Sequence, residues 1–421
     1  MRRIVNITIL LYVLFGVSMY IYFFTGSDIG IPVEYKGTSA DPTTFMNARE
    51  LVLSEEYSSV KNFLFFLGTP FEWIVLFLFM VLGVSSKFEQ WAKAITSKRF
   101  VQFFIYFFYF SISMFLLIFP FRFVSYQLSK AYHISVQSFS SWMKDMTIDF
   151  WVNFIMMFVA MHVLLLLMKK SKRRWWIYAW CMTVPLTLFL TFVQPVLLDP
   201  LYHEFRPLQN KQLEERILEM AEKADIPANH VYEVNMSEKT TALNAYVTGI
   251  GSNSRIVLWD TTLEKLGENE VLFIMAHEMA HYVKKHIYWG IGLGLGVSLV
   301  GFFVVYKLVS FIQRRFGKMM RVEGKGSFAV IPLLLLLFSL FSFVISPFTN
   351  YVSRYEERQA DTYAIEMTKD NESAVKAFQT LAKTGLNEVD PPMLVKIFRH
   401  THPAIVERIL FLESYDGKID R

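Results

Sequence analysis

The chain has 421 residues, of which 53% are hydrophobic and only 19% charged, with 41 phenylalanines; that balance excludes a water-soluble globular protein of this length and places the chain in a membrane. A single cysteine, Cys181, inside an apolar run, excludes an intramolecular disulfide. The formal charge of +5 does not point to nucleic acid: the Lys and Arg clusters lie beside apolar spans, where they set orientation and meet anionic lipid, and no nucleic-acid module is present.

Met1-Arg2-Arg3 precedes an apolar run over residues 4–24. The run is as long as a bilayer-spanning helix and no A-x-A-like cleavage site follows, so it reads as an uncleaved first span. Residues 25–57 are polar, and Asp41-Pro42 is placed to open an amphipathic helix through Asn47, Leu51 and Leu53. Further spans are expected at 63–84, 101–125, 150–168, 176–198, 287–309 and 328–345, seven in all.

Two polar segments interrupt this series. Residues 199–286 lie between the fifth and sixth spans and 350–421 follow the seventh, so a crossing count brings both to one face as halves of one domain, with 1–198 and 287–349 as the membrane parts. Lys and Arg in the short loops, including Lys169, Lys170, Lys172, Arg173 and Arg174, fall on the opposite face. By loop charge alone, the polar domain is outside the cytoplasm.

In the first polar segment, residues 212–224 have helical spacing, and 230–234, 243–247 and 255–258 are short β-prone runs. They predict a small sheet, which either pairs with an extended peptide along its edge or only supports the helix that follows. That helix, over 271–285, carries His277, Glu278 and His281 as H-E-x-x-H. Residues four apart share a helix face, so both imidazoles can meet one cation while Glu278 faces the same open side as a general base. A catalytic zinc ion, one Zn2+ per chain, then needs a third ligand and an open position. His286, nine residues after His277, is expected on the opposite helix face and is not a ligand candidate.

Beyond the seventh span, Glu357 and Asp361 are four apart on a predicted helix. One can bind the metal while the other holds a ligand histidine, or both belong to a solvated charged face; because Glu356 has only Ala360 at that spacing, Glu357 is the expected ligand and Asp361 its supporting carboxylate. His402 and Arg408 either steady an oxyanion or merely begin a helix after Pro403.

These blocks, with Asn244-Ala245-Tyr246, Arg255-Ile256-Val257-Leu258 and Ser353-Arg354, resemble the type I CAAX prenyl endoproteases, integral-membrane zinc metallopeptidases. The resemblance implies a mainly α membrane protein with seven transmembrane helices enclosing a water-filled chamber, and a gluzincin-like, zincin-type α+β domain with a small β-sheet. It implies His277, His281 and Glu357 as zinc ligands, Glu278 as base, Asn244 and Ala245 on a substrate-binding edge strand, and His402 and Arg408 near the reacting carbonyl. It also implies a cytosolic active site, against the loop charges. Asn153, His162, Thr183, Thr187, Thr191 and Gln194 are the expected chamber lining. The function expected is hydrolysis of extended peptides or membrane-associated proteins, lipidated ones among them, in contact with membrane lipids and without nucleic acid. The competing reading is a transporter or scaffold with a structural or inactive metal site; a structural site fills all four positions and has no use for a base at Glu278.

Overall fold

The computed structural model describes residues 2–25, 31–193, 198–248, 255–322 and 326–416. In chain order the membrane part comprises α1 (Arg2–Phe24), α2 (Ala48–Val81), the short α3 (Val84–Ile95), α4 (Arg99–Ala131), α5 (Phe139–Lys170) and α6 (Trp175–Phe192). The polar part follows with β1 (Phe205–Pro207), α7 (Lys211–Lys223), β2 (Val231–Val234), β3 (Ala245–Thr248), β4 (Arg255–Trp259), α8 (Asp260–Lys265) and α9 (Glu268–Val283). Two long helices, α10 (His286–Met320) and α11 (Ile331–Thr368), lead to α12 (Asn371–Thr384), α13 (Met393–Phe398) and α14 (Ile405–Glu413). Among the described residues, seven helices are long and apolar enough to cross a bilayer: α1, α2, α4, α5, α6, α10 and α11.

Several helices run well past their apolar stretches. α2 begins at Ala48 because Asn47 and Glu50 cap each other: Asn47 Oδ1 accepts from the Glu50 amide and Glu50 Oε2 from the Asn47 amide, both at 2.9 Å. Asp41-Pro42 therefore does not open that helix, as its position had implied; the Asp41 carboxylate accepts from the Gly37 and Thr43 amides and closes a separate 3-10 turn. α11 continues unbroken from its apolar half, where Leu333, Leu334, Leu336 and Leu337 are buried, through Glu357 and Asp361. A membrane-crossing rod thus reaches the site.

The sheet has the order β1-β2-β4-β3, with β2 parallel to β4 and the other pairs antiparallel. In β4, Ile256 and Leu258 pack toward α7 and α9, while Val257 joins Val234 and Met236 on the other face, the alternation a two-sided strand demands. β3 is left at the edge. Strand β1 had no counterpart in the β-prone runs, being three residues long and ending in Pro207.

A third core joins Phe273 and Ala276 of α9, Ala364 and Ile365 of α11, Ala377 and Phe378 of α12 and Ile409 of α14. Small side chains at Ala276 and Ala364, both fully buried, let α9 and α11 approach closely. Within the membrane part, cavities of about 610 and 330 Å3 adjoin α2, α4 and α5. The smaller is lined by Glu72, Ser111, Arg122, Asp149 and Asn153, so of the expected lining Asn153 is present while three overlooked ionisable residues join it. His162 instead packs among Phe100, Phe103 and Phe158, Thr183 bonds back to the Trp180 carbonyl, and Gln194 lies outside the described residues.

Candidate metal centre

α9 presents His277 and His281 on one face, and α11 brings Glu357 to them. His277 Nε2 lies 3.1 Å from Glu357 Oε2, His281 Nε2 3.4 Å from Glu357 Oε1, and the two Nε2 atoms are 3.3 Å apart. Ligand atoms held tetrahedrally at zinc bond lengths stand about 3.3 Å from one another, so the spacing fits such an ion. Buried Glu357 Oε2 also finds no hydrogen-bond donor of good geometry among the described residues. Glu356, one residue earlier, is half-exposed and is not in the cluster.

Asp361 is fully buried and its Oδ1 is 3.0 Å from His277 Nδ1. Accepting from that nitrogen keeps the Nδ1 proton in place, so that Nε2, which faces Glu357, is the atom left for a metal. Arg408 in turn donates from Nε to Asp361 Oδ2 at 2.8 Å and from Nη2 to Oδ1 at 2.5 Å, and its guanidinium sits 4.1 Å over the Phe378 ring. Arg408 lines the cavity beside Glu278 while two of its donors are committed to Asp361. Burial opposes charge on His277, but the carboxylates of Asp361 and Glu357 outweigh it and hold the ring up at about 9; the environment favours a positive charge at this point. Burial and then His277 lower His281 to about 4, keeping it in the neutral form that a metal requires.

Glu278 is half-buried and lines a cavity of about 440 Å3 with His277. Burial, with help from the Glu357 carboxylate and against His277, pushes Glu278 up to about 7, the range suited to taking and returning a proton near neutrality. His402, exposed at the cavity mouth, has Nε2 3.4 Å from Glu357 Oε1. Its loop is held by Arg354, one turn before Glu357, which donates to the Lys396 and His400 carbonyls at 2.9 and 2.8 Å.

Asn244 and Ala245 line the same cavity at the start of β3. The Asn244 carbonyl accepts from Trp259 N of β4, so by alternation Ala245 turns its amide to the open edge. Thr262 Oγ1 both accepts from the Asn244 amide at 2.9 Å and donates to its carbonyl at 2.8 Å, and Asn244 Oδ1 accepts from the Ala245 amide at 2.9 Å.

His286 was missed. Lys285 adopts φ +61°, so α9 ends and α10 restarts in a new direction, which voids the extrapolated helix phase. His286 is buried with Nδ1 2.9 Å from His281 Nδ1 and Nε2 3.1 Å from Gln359 Oε1. It touches the far side of the His281 ring rather than the opposite helix face.

Residues 207–416 match the model of peptidase family M48, and residues 36–204 match that of the CAAX prenyl protease N-terminal region with five membrane helices. An uncharacterized metalloprotease, YhfN, of Bacillus subtilis (strain 168) is 53% identical over 417 residues, covering 99% of this chain and 98% of the relative. A CAAX prenyl protease 1 homolog of Dictyostelium discoideum is 30% identical over 236 residues, 55% of this chain and 54% of its own length. The crystal structure of S. mikatae Ste24p superposes with a TM-score of 0.79 at 19% identity, covering 97% of each chain, and so shares the fold.

Proposed function

Because the chain belongs to peptidase family M48 and is a multi-pass membrane metalloprotease, we propose that its metal is one zinc ion held by His277, His281 and Glu357, and that Glu278 is the general base for peptide hydrolysis. The observation that carries this is the 3.1–3.4 Å spacing of the three donor groups beside a cavity that Glu278 lines. Zinc, when bound there, supplies Lewis-acid polarisation of a water and of the scissile carbonyl. Glu278 takes the proton from the attacking water and returns it to the leaving amine. Asp361 and Arg408 hold His277 in its ligating tautomer, and His402, which lines the cavity with its Nε2 beside Glu357, would steady negative charge developing on the carbonyl oxygen.

Substrate is an extended peptide laid along the β3 edge at Asn244 and Ala245, the Ala245 amide exchanging its bond to Asn244 Oδ1 for a peptide carbonyl. The cavity of about 610 Å3 lined by Leu64, Phe65, Phe71 and Phe121 offers an apolar chain a place, which supports lipidated peptides among the substrates. A transporter or scaffold with a closed structural site is not favoured, because Glu278 lines an accessible cavity. The test is elemental analysis of the purified protein together with cleavage of an unfolded-peptide library. One zinc per chain, with cleavage abolished by a chelator and restored by zinc, is expected; a chelator-insensitive activity would defeat the assignment.

A further inference from the structure

The cavity lined by His277 and Glu278 is also lined by Ser58, Lys61 and Asn62 of α2 and by Arg399. Lys61 and Arg399 are common to this cavity and to the larger one adjoining α2 and α4, so they mark where the cleft meets the membrane chamber. Both cations therefore stand on the wall that the two cavities share. Among the described residues neither pairs with a carboxylate: Lys61 Nζ rests 5.2 Å from the centroid of the Tyr57 ring, and the Arg399 guanidinium 5.4 Å from that of Phe65 while donating from Nη1 to Asn62 Oδ1. The other carboxylate in the cavity wall, Glu388, has Lys396 as the cation that acts on it, and neither Lys61 nor Arg399 does so. With Asn62 Oδ1 accepting from Arg399, Asn62 Nδ2 is oriented to donate.

Two half-buried like charges without a counter-ion are unfavourable on their own, and three donors along one wall are what a planar oxyanion satisfies. We propose that Lys61, Arg399 and Asn62 form a carboxylate-binding site at the junction of cleft and chamber, which takes an anionic group of the peptide being cleaved. The site rests on the peptidase reading above. One cavity of about 440 Å3 contains both the metal-ligand wall and the cations, so a single short stretch of peptide meets both. The carboxylate comes either from the chain terminus or from an acidic side chain.

The test uses the full-length, zinc-loaded protein in detergent and three peptides of one sequence: a free C-terminal acid, its carboxamide, and the carboxamide with Glu as last residue. Cleavage rates are measured with the parent, and equilibrium binding with Glu278→Gln. Preference for an acid over the neutral carboxamide of about tenfold or more is expected; preference confined to the free acid identifies the terminus, and preference extending to the Glu peptide identifies the side chain. In Lys61→Gln and Arg399→Gln the acid-to-amide ratio, internal to each variant and so independent of how much protein folds, falls toward one. Equal binding of all three peptides, or a ratio unchanged in both variants, overturns the site and leaves the peptidase assignment intact. Acid-selective binding without cleavage by the parent would sustain the site and overturn the peptidase assignment.

Discussion

His286 Nδ1 lies 2.9 Å from His281 Nδ1. With a metal on its Nε2, beside Glu357, His281 would carry its proton on Nδ1 and donate it to His286, whose Nε2–H would then donate to Gln359 Oε1. His281 thus leans on a neutral chain, whereas His277 leans on the Asp361 carboxylate. Partners of this kind are worth about ten- to a hundredfold in metal affinity. His286→Ala is expected to weaken zinc by that factor in a chelator competition, and parental affinity in that variant would reduce His286 to packing.

Glu278→Gln keeps the volume of the side chain but cannot accept a proton from water. Peptide hydrolysis should fall about a hundredfold or more with zinc content unchanged, read from initial rates and elemental analysis of the same preparation. Cleavage at the parental rate would end the general-base assignment.

Glu357→Ala should lose zinc and activity together, because the third donor goes. Asp361→Ala should weaken zinc by about ten- to a hundredfold and Glu356→Ala should retain both properties. A zinc-free Glu356→Ala beside a zinc-loaded Glu357→Ala would reverse the choice of ligand.

Arg408 and Asp361 form a buried pair, 6% and 0% exposed. Removing one partner strands the other's charge, so Arg408→Leu should destabilise the protein by about 3–5 kcal/mol, seen as a lower unfolding midpoint in detergent. An unchanged midpoint would show that the pair contributes nothing to the fold.

Burial, with Asp390 and Glu55, pushes the Glu388 carboxyl up to about 7. A carboxyl raised on folding favours the folded state while protonated; that contribution is complete below its ordinary value near 4.5 and lost as pH rises through about 7. Glu388→Gln should therefore unfold at a higher temperature than the parent at pH 8 and at about the same temperature at pH 4.5. A stabilisation equal at both pH values would refute the titration.

Loop charge and family resemblance disagree on sidedness. Five Lys or Arg from Lys169 to Arg174 should hold that loop in the cytoplasm. Single cysteines at Ser171 and Asn210, in a Cys181→Ala background, labelled in intact cells with an impermeant reagent, decide it; labelling at Ser171 and not at Asn210 would put the site on the cytosolic side.

What sequence determined here is what short-range geometry determines. Four-residue spacing put His277 with His281 and Glu357 with Asp361 whatever surrounds them, and runs of apolar residues long enough to cross a bilayer announced the seven helices. Phase arithmetic failed where the backbone broke: the left-handed Lys285 resets the helix, so His286 arrives beside His281 against the periodicity that had placed it away. Nothing local marks Arg408 as the partner of Asp361, or sets Lys61 near Arg399. Those pairings exist because α2, α11 and the C-terminal segments fold together, and charges distant in the chain meet only when helix packing has fixed where each backbone runs.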